Sequence, residues 1–184
     1  KLLEKIELIG GQEGLEYINN LKKEIDSYKE KVQKLYVDIN DNLHQAYWHS
    51  IHDKLSTDPP DFKVVIDLLQ ETKDMLLNCK RTLENELNEH IDIDFITDML
   101  NNGVLDDKYI LNMCNYIITK IKECQAINDD KNLEEWRNKM SKGFVEGAKY
   151  CDFFPMFFKE VFERLDNILK DIDIIKCIRE NMKN

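Results

Sequence analysis

The stretch HSIHD, which begins at His49, holds two imidazoles and a carboxylate, side chains of the types that bind catalytic metals. Metal-dependent phosphohydrolases combine a His-Asp pair with another histidine on a separate upstream helix, but no histidine precedes His44 in this chain. On a helical wheel, His49 points away from the apolar face and His44 points into it, so one metal cannot bind both without distortion. We therefore expect no metal site and keep a cryptic metal-dependent hydrolase near His49 and His52 as the last alternative.

Paired carboxylates could hold calcium, but their spacing does not match an EF-hand loop. That loop needs glycine at its sixth position and glutamate at its twelfth, and counting from Asp92 these positions hold Thr97 and Gly103. The sequence also lacks phosphate-binding glycine loops, the H-E-x-x-H zinc motif and the G-x-S-x-G nucleophile motif. A nucleophilic Cys–His pair stays open, although nothing selects one. We expect a non-enzymatic protein with no catalytic residue, no cofactor and no metal.

The composition describes a charged globular chain. The sequence has 184 residues, of which 42% are hydrophobic and 34% charged, and its net charge of −10 argues against binding nucleic acid or anionic membranes. The longest uncharged stretch, residues 109–119, is too short to span a bilayer. The five cysteines show no C-x-x-C spacing, which favours reduced core thiols in a cytoplasmic protein.

Residues 12–56 contain no proline and predict one long helix that follows a short segment ending at Gly10-Gly11. Its apolar residues keep a heptad spacing, with β-branched residues at one core position, and they are Ile18, Leu21, Ile25, Tyr28, Val32, Leu35 and Ile39. This stripe, residues 18–39, fits either a coiled-coil homo-oligomer or a bundle helix that changes neighbours after a stutter. We assign residues 1–45 to this N-terminal segment and residues 46–184 to a helical domain.

The rest of the chain predicts an all-α, single-domain bundle with about six to seven helices in total. Glycine and proline are scarce, at 6 and 3 residues, which favours long helices with few corners. After the Pro59-Pro60 corner, the apolar spacing predicts a second long helix that continues to Leu87. We expect the prolines in its first turn and either Thr57 or Asp58 as its N-cap, and Asp61 suits the positive end of its dipole.

Four further helices are expected after it, and capping residues mark the ends of the first two. Asp94 is expected to cap a short helix that ends at a left-handed Gly103, and Asp106 to cap the next helix. A short amphipathic helix should stop near Gly143. The last helix is expected from about Phe154 to Asn181. Its apolar stripe consists of Phe158, Val161, Phe162, Leu165, Ile168, Leu169, Ile172, Ile175 and Ile178.

The run CDFFPMFF, residues 151–158, is the densest apolar stretch in the chain. It could present an adaptable hydrophobic contact to a partner helix through four residues, Phe153, Phe154, Met156 and Phe157. The alternative is that it forms the buried start of the last helix, with Pro155 in its first turn. We favour burial because aromatic residues of this kind are mostly found inside proteins.

Residues 46–77, AYWHSIHDKLSTDPPDFKVVIDLLQETKDMLL, resemble the start of the T-complex protein 11 family domain. That family shows an aromatic pair, then L-S-x-D-P-P-x-[YF], then a helix like I-x-L-L-x-E-I-K, and later N-G-x-L-D. The matching residues are Tyr47, Trp48, Asp58, Pro59, Pro60, Phe62, Leu68, Leu69, Asp94, Asn102, Gly103, Leu105 and Asp106. The similarity extends to about Ile178, but the proline and arginine that the family places after its cysteine are missing from CQAINDD.

The resemblance implies an α-helical regulatory or adaptor module that binds a protein partner, in a shortened or divergent member of the family. Animal members are linked to sperm function and cyclic-AMP signalling, and a fungal member to suppression of protein kinase A pathway defects. The family has no agreed catalytic residues, so the resemblance assigns none to this chain.

Overall fold

The computed structural model describes residues 2–104, 106–126, 129–145 and 147–182. Within these residues it contains no strand, and the all-α prediction is confirmed. The elements in chain order are α1 (Leu2–Leu55), α2 (Lys63–Cys79), a 3₁₀ turn (Arg81–Leu83), α3 (Glu84–His90), α4 (Ile93–Asn101), α5 (Asp107–Cys124), α6 (Asp130–Val145) and α7 (Tyr150–Asn181). Among the described residues, no helix combines the length and the apolar character needed to cross a membrane.

The chain divides into two compact units, Lys1–Tyr47 and Trp48–Asn184. In the first unit, α1 is interrupted at Gly11, whose φ of 58° and ψ of −158° lie outside the helical region. This is where the sequence predicts that the short first segment ends. Most of the heptad stripe beyond this point faces solvent; Ile25 is 52% exposed and Val32 66%.

The second unit holds the hydrophobic core. Helix α2 lies at its centre and packs against α4, α5 and α7. Leu69 and Leu76 of α2 and Ile117 of α5 are fully buried, and the last turns of α1 add Ile51 and Leu55. The helical periodicity of these apolar residues therefore directs one face of each helix toward a shared core.

The predicted second long helix is wrong, because the chain breaks at Lys80. That residue is extended, with φ −153° and ψ 95°, and its N–H donates to the carbonyl of Leu76 at 2.9 Å. The 3₁₀ turn and α3 then return Leu83 and Leu87 to the core, where both are buried. The apolar spacing is kept across the break, which is why it predicts one helix.

The prolines of the corner do not lie in the first turn of α2, contrary to our prediction. Helix α1 ends at Leu55 and α2 begins at Lys63, so Pro59 and Pro60 lie in the connection between them. The Asp58–Pro59 peptide bond is cis. The connection is exposed and serves as a corner between helices.

The expected caps at this corner are also wrong. The Thr57 hydroxyl lies 2.7 Å from the carbonyl oxygen of Lys54 and 2.8 Å from that of Pro59. It therefore stabilises the connection between the two helices and does not cap α2. Asp61 instead serves the start of α2, because its Oδ1 accepts from the N–H of Lys63 at 3.2 Å.

Two of the later end signals are confirmed and one is wrong. Asp106 caps α5, accepting from the N–H of Lys108, and Gly103 follows α4 with φ 64°. The cap of α4 is Asp92 and not Asp94, because the carboxylate of Asp92 accepts from the N–H of Phe95 at 3.0 Å. Both aspartates precede apolar helical residues, and only the backbone conformation distinguishes them.

The boundaries of α6 and α7 differ from the prediction at one end each. Helix α6 continues past Gly143 to Val145. Helix α7 ends at Asn181, as predicted, but begins at Tyr150, which places Pro155 inside the helix rather than in its first turn. Because proline has no backbone N–H, Pro155 cannot donate the hydrogen bond that a residue in the helix interior normally gives to the preceding turn.

Candidate protein-binding groove

A groove of about 680 Å³ lies in the second unit, between the end of α5, the start of α6 and the C-terminal half of α7. Its lining combines carboxylates with isoleucines, and its residues are Cys124, Gln125, Ala126, Asp129, Asn132, Glu160, Glu163, Arg164, Asn167, Ile168, Asp171, Ile172, Ile174 and Ile175. The α7 residues from Glu160 to Ile175 extend for about 22 Å at 1.5 Å per residue. The groove is thus long enough to hold about four turns of another helix.

Arg164 fixes the wall of the groove where α6 meets α7. Its Nη2 donates to Asn132 Oδ1 at 2.6 Å and lies 2.7 Å from Glu160 Oε1. Its guanidinium also lies over the ring of Trp136, 5.1 Å from the centroid. Because Arg164 is paired with Glu160 and partly neutralises it, the remaining acids determine the charge of the groove.

Three acids, which we call the rim of the groove, are exposed members of its lining: Asp129, Glu163 and Asp171. The apolar side of the groove runs along α7, where burial decreases toward the C-terminus: Ile168 is 7% exposed, but Ile175 is 48% exposed. Solvent-exposed isoleucines beside carboxylates form an amphipathic surface with negative charge. Such a surface complements a helix that has one apolar and one basic face.

Next to the lining residue Cys124, an ion-pair network ties α5 to α3 and to the end of α2. Lys120 is nearly buried, and its Nζ pairs with Glu86 and, at 2.6 Å, with Glu123 Oε1. Burial by itself would lower the pKa of Lys120, but hydrogen bonds and charge from Glu123 and Glu86 outweigh burial and raise it. The hydrogen bond from Lys120 is the largest cause of the lowered pKa of Glu123, and Lys80 lowers it further.

Cys124 connects this network to the groove, where its side chain forms part of the lining. A hydrogen bond with Cys79 is the largest cause of its lowered pKa; burial opposes this, and the charges of Lys80 and Lys120 reinforce it. The same bond raises the pKa of Cys79. Cys124 is therefore the more acidic thiol of this pair.

Several residues of the family motif pack inside the second unit. The Trp48 ring lies 5.8 Å from that of Phe162, and Phe62 packs edge-on against Tyr150 with centroids 6.0 Å apart. Leu68 and Leu69 of α2 are buried. These aromatic and leucine positions connect α1 and α2 to α7.

Other motif residues lie at helix ends or on the surface. Asn102 Nδ2 donates to the carbonyl of Asp98 at 2.7 Å, and Asp94 is exposed in the first turn of α4. Tyr47, which ends the first unit, is 47% exposed. Leu105 lies outside the described residues.

The phenylalanine-rich run contributes mainly to the core. Phe153, Phe154 and Phe157 are at most 1% exposed, whereas Met156 is 46% exposed. Of the four residues considered for a partner contact, Met156 is the one that faces solvent. Burial of the other three follows from the helical turn, which directs positions 153, 154 and 157 to the same side.

The sequence did not identify the groove. The stripe of α7 predicts that Ile172, Ile175 and Ile178 continue the core, but the core ends near Ile168 and Ile178 is 52% exposed. The sequence misses this boundary because an apolar stripe does not indicate where the neighbouring helices stop covering it.

These features define an all-α protein with an exposed amphipathic groove. The family model described as T-complex protein 11 matches residues 20–178, and the chain belongs to this family. The chain is a divergent member, and the matched region includes both the corner after α1 and most of α7.

Relatives in mouse and human agree with this assignment. T-complex protein 11 of Mus musculus is 30% identical over 105 residues, which cover 53% of this chain and 18% of the relative. T-complex protein 11 homolog of Homo sapiens is 28% identical over 105 residues, covering 53% and 21%. The matched region spans about a fifth of the length of these relatives. No solved structure matches the chain.

Proposed function

We propose that this chain is a non-catalytic regulatory or adaptor module of the cytoplasm that binds a protein partner through the groove beside α7. The partner segment is a basic amphipathic helix, and a role in signal transduction follows from the family resemblance. Membership of the T-complex protein 11 family supports the proposal at the level of the fold.

One observation carries the proposal: isoleucines of α7 stay exposed beside a rim of carboxylates. Ile174 is 57% exposed and Ile175 48%, although both line a concave surface. Exposed apolar residues that line a concave surface and are bordered by polar ones mark interaction sites more often than isolated surface residues do.

The charge of the rim selects the chemistry of the partner. Asp129, Glu163 and Asp171 would face the polar side of a docked helix, and Arg164 is already paired with Glu160. Lysine and arginine on that side would be attracted, while an acidic helix would be repelled. The apolar face of the same helix would cover the isoleucines.

The test uses a fluorescent peptide of about four helical turns that carries leucine on one face and lysine on the other. We expect it to bind with an affinity that falls as salt rises, because exposed charges are screened within about 10 Å at 0.1 M salt. A peptide of the same pattern with glutamate in place of lysine is the charge control, and it should not bind.

A matched pair of substitutions localises the binding. Asp171 lines the groove, whereas Asp173, two residues along α7, forms a surface pair with Lys176 at 3.0 Å. Asp171→Lys should weaken binding of the basic peptide about tenfold or more, which is about 1.4 kcal/mol. Asp173→Lys changes the net charge equally and should have little effect. Equal losses in both variants would show non-specific attraction and contradict the proposal.

A second candidate function, a structural homo-oligomer, is favoured by the stripe of the first unit. Ile25, Val32, Leu35 and Ile39 follow heptad spacing and are each more than half exposed. β-Branched residues at one core position with leucine at the other favour two-stranded coiled coils. A second copy of the same helix would cover this stripe.

Two valine substitutions separate this candidate from a monomer. Val32 lies on the stripe, while Val37 is 45% exposed at a position away from it. Sedimentation should show a dimer in the unsubstituted chain and in Val37→Asp, and a monomer in Val32→Asp. A monomer in all three would exclude the oligomer and leave the groove proposal intact.

A further inference from the structure

We propose that His52, Cys151 and Asp152 form a zinc-binding site at the junction between the end of α1 and the start of α7. One potential ligand atom from each residue lies within 4.8 Å of the other two. The imidazole Nε2 of His52 lies 3.3 Å from Asp152 Oδ1, although the two residues are 100 positions apart in the chain. The spacing around His49 predicts no metal site, because the additional donors, Cys151 and Asp152, come from α7.

The spacing of these donors suits a tetrahedral zinc ion. Zinc binds imidazole nitrogen and carboxylate oxygen at about 2.0–2.2 Å and thiolate sulfur at about 2.3 Å, which places ligands about 3.3–3.6 Å apart. The His52–Asp152 pair already has this separation. The remaining separations, at most 4.8 Å, need about 1 Å of side-chain movement, and all three side chains are only partly covered.

The donor types select the ion. Calcium and magnesium prefer oxygen ligands, and this cluster offers them only one carboxylate. A set of one thiolate, one imidazole and one carboxylate is instead typical of zinc and related soft transition metals. Three protein ligands leave a fourth position for water.

A second carboxylate lies near the other ring nitrogen of His52, where metal-binding histidines usually have one. The Nδ1 atom of His52 lies 3.6 Å from Asp53 Oδ1, so one ring nitrogen faces a carboxylate while the other faces the donor cluster. Ligand histidines commonly give their second ring nitrogen to a carboxylate, which fixes the tautomer and the ring orientation. If this distance shortens to a hydrogen bond when Nε2 binds zinc, Asp53 acts as a positioning residue for the site.

The scaffold beneath the site is firmly packed. Ile51 and Leu55 flank His52 on α1 and are at most 5% exposed, and Phe153 and Phe154 directly follow the two ligands on α7 and are 1% exposed. These anchors hold the backbones of both helices in place. A bound ion would tie α1 to α7 at the point where the core begins.

Zinc itself is the probe. We expect the purified chain to bind one equivalent of Zn²⁺ in competition with a chromophoric chelator, and Zn²⁺ to raise the unfolding temperature, since a ligand that binds the folded state stabilises it. His52→Ala and Cys151→Ser should each weaken the affinity more than tenfold. Asp53→Asn should weaken it less. With Co²⁺ as substitute, a near-ultraviolet thiolate band should appear and be absent from Cys151→Ser.

Matched controls come from the same chain. His49 and Cys177 are an exposed imidazole and an exposed thiol outside the cluster, so His49→Ala and Cys177→Ser should bind zinc normally. Circular dichroism without metal checks that each variant is folded, with His52→Asn and Cys151→Ala as substitutes for a variant that is not. Absence of micromolar zinc binding, or equal affinity in the double variant His52→Ala/Cys151→Ser, would overturn the proposal.

Discussion

The indole of Trp48 packs against the ring of Phe162, with centroids 5.8 Å apart and the planes tilted by 51°. This contact joins the last turns of α1 to the middle of α7. Trp48 belongs to the motif by which the sequence resembles its family, and Phe162 lies two residues from Arg164 in the groove wall. The motif thus supports the helix on which the proposed binding surface lies.

Removal of this indole should destabilise the fold. Trp48 is half-buried, so Trp48→Ala should lower the free energy of unfolding by about 2–3 kcal/mol, below the range for fully buried aromatic residues. Urea unfolding followed by circular dichroism measures the change. Tyr47→Ala, at an adjacent and more exposed position, is the control and should cost less. If both substitutions lowered the free energy of unfolding equally, the contact between Trp48 and Phe162 would not explain the loss of stability.

The Lys120 network should make stability depend on pH. Lys120→Met should lower the free energy of unfolding by about 1–3 kcal/mol at neutral pH, because two charge-assisted hydrogen bonds are lost. The folded-state pKa of Glu123 is lowered, so its contribution is present above about pH 4.3 and disappears as pH falls through the folded-state value. The difference between the two proteins should therefore shrink in acid.

At alkaline pH, the stability contributed by Lys120 changes with pH in the opposite direction. The pKa of Lys120 is raised in the folded state, so its contribution is complete below about pH 10.4 and declines only as pH rises through the higher folded-state value. Urea unfolding between acid and neutral pH is the accessible measurement. Lys122→Met, at a more exposed lysine that pairs with Glu134 at 3.0 Å, is the control with a smaller effect. If Lys120→Met lowered the free energy of unfolding by the same amount at every pH in this range, the pH dependence assigned to the pair with Glu123 would be contradicted.

The cysteines should differ in reactivity. Cys124 has a lowered pKa, whereas burial raises the pKa of Cys114. Since the thiolate is the nucleophile, iodoacetamide at neutral pH should modify Cys124 much faster than Cys114. Peptide mass spectrometry over time gives the rates. Cys79, with its raised pKa, should also lag behind Cys124, and a faster Cys79 would reverse our assignment of the acidic thiol.

The cap of α4 offers a test on neighbouring aspartates. Asp92→Ala should cost about 1 kcal/mol, because it leaves the N–H of Phe95 without its acceptor. Asp94→Ala removes only a favourable charge near the helix N-terminus, about 0.3–1 kcal/mol at low salt and less in high salt. Thermal unfolding at two salt concentrations separates the two. A larger loss at Asp94 would restore the cap predicted from the sequence.

The sequence predicts the helices well because their apolar periodicity is strong, and it places Asp106, Gly103 and the end of α7 correctly. It misses the break at Lys80 because Leu83 and Leu87 continue the helical spacing of Leu76 past this extended residue. Local patterns report which residues are buried, whereas the backbone turn between them depends on tertiary packing.

The candidate sites were less predictable, for two physical reasons. The groove depends on where the other helices stop covering α7, and the stripe through Ile175 does not contain that information. The approach of His52 to Cys151 depends on a contact between distant helices, which no spacing within one helix can indicate. By contrast, burial of Phe153 follows from composition and helical phase alone.

Methyl NMR of isoleucine side chains tests the groove most directly. On addition of the basic amphipathic peptide, our account predicts that methyl signals shift for Ile168, Ile172, Ile174 and Ile175, and that those of Ile25 and Ile39 on the heptad stripe stay in place. The shifts should be lost in Asp171→Lys and kept in Asp173→Lys. Shifts confined to the heptad stripe, or unchanged signals from the groove at saturating peptide, would contradict the account.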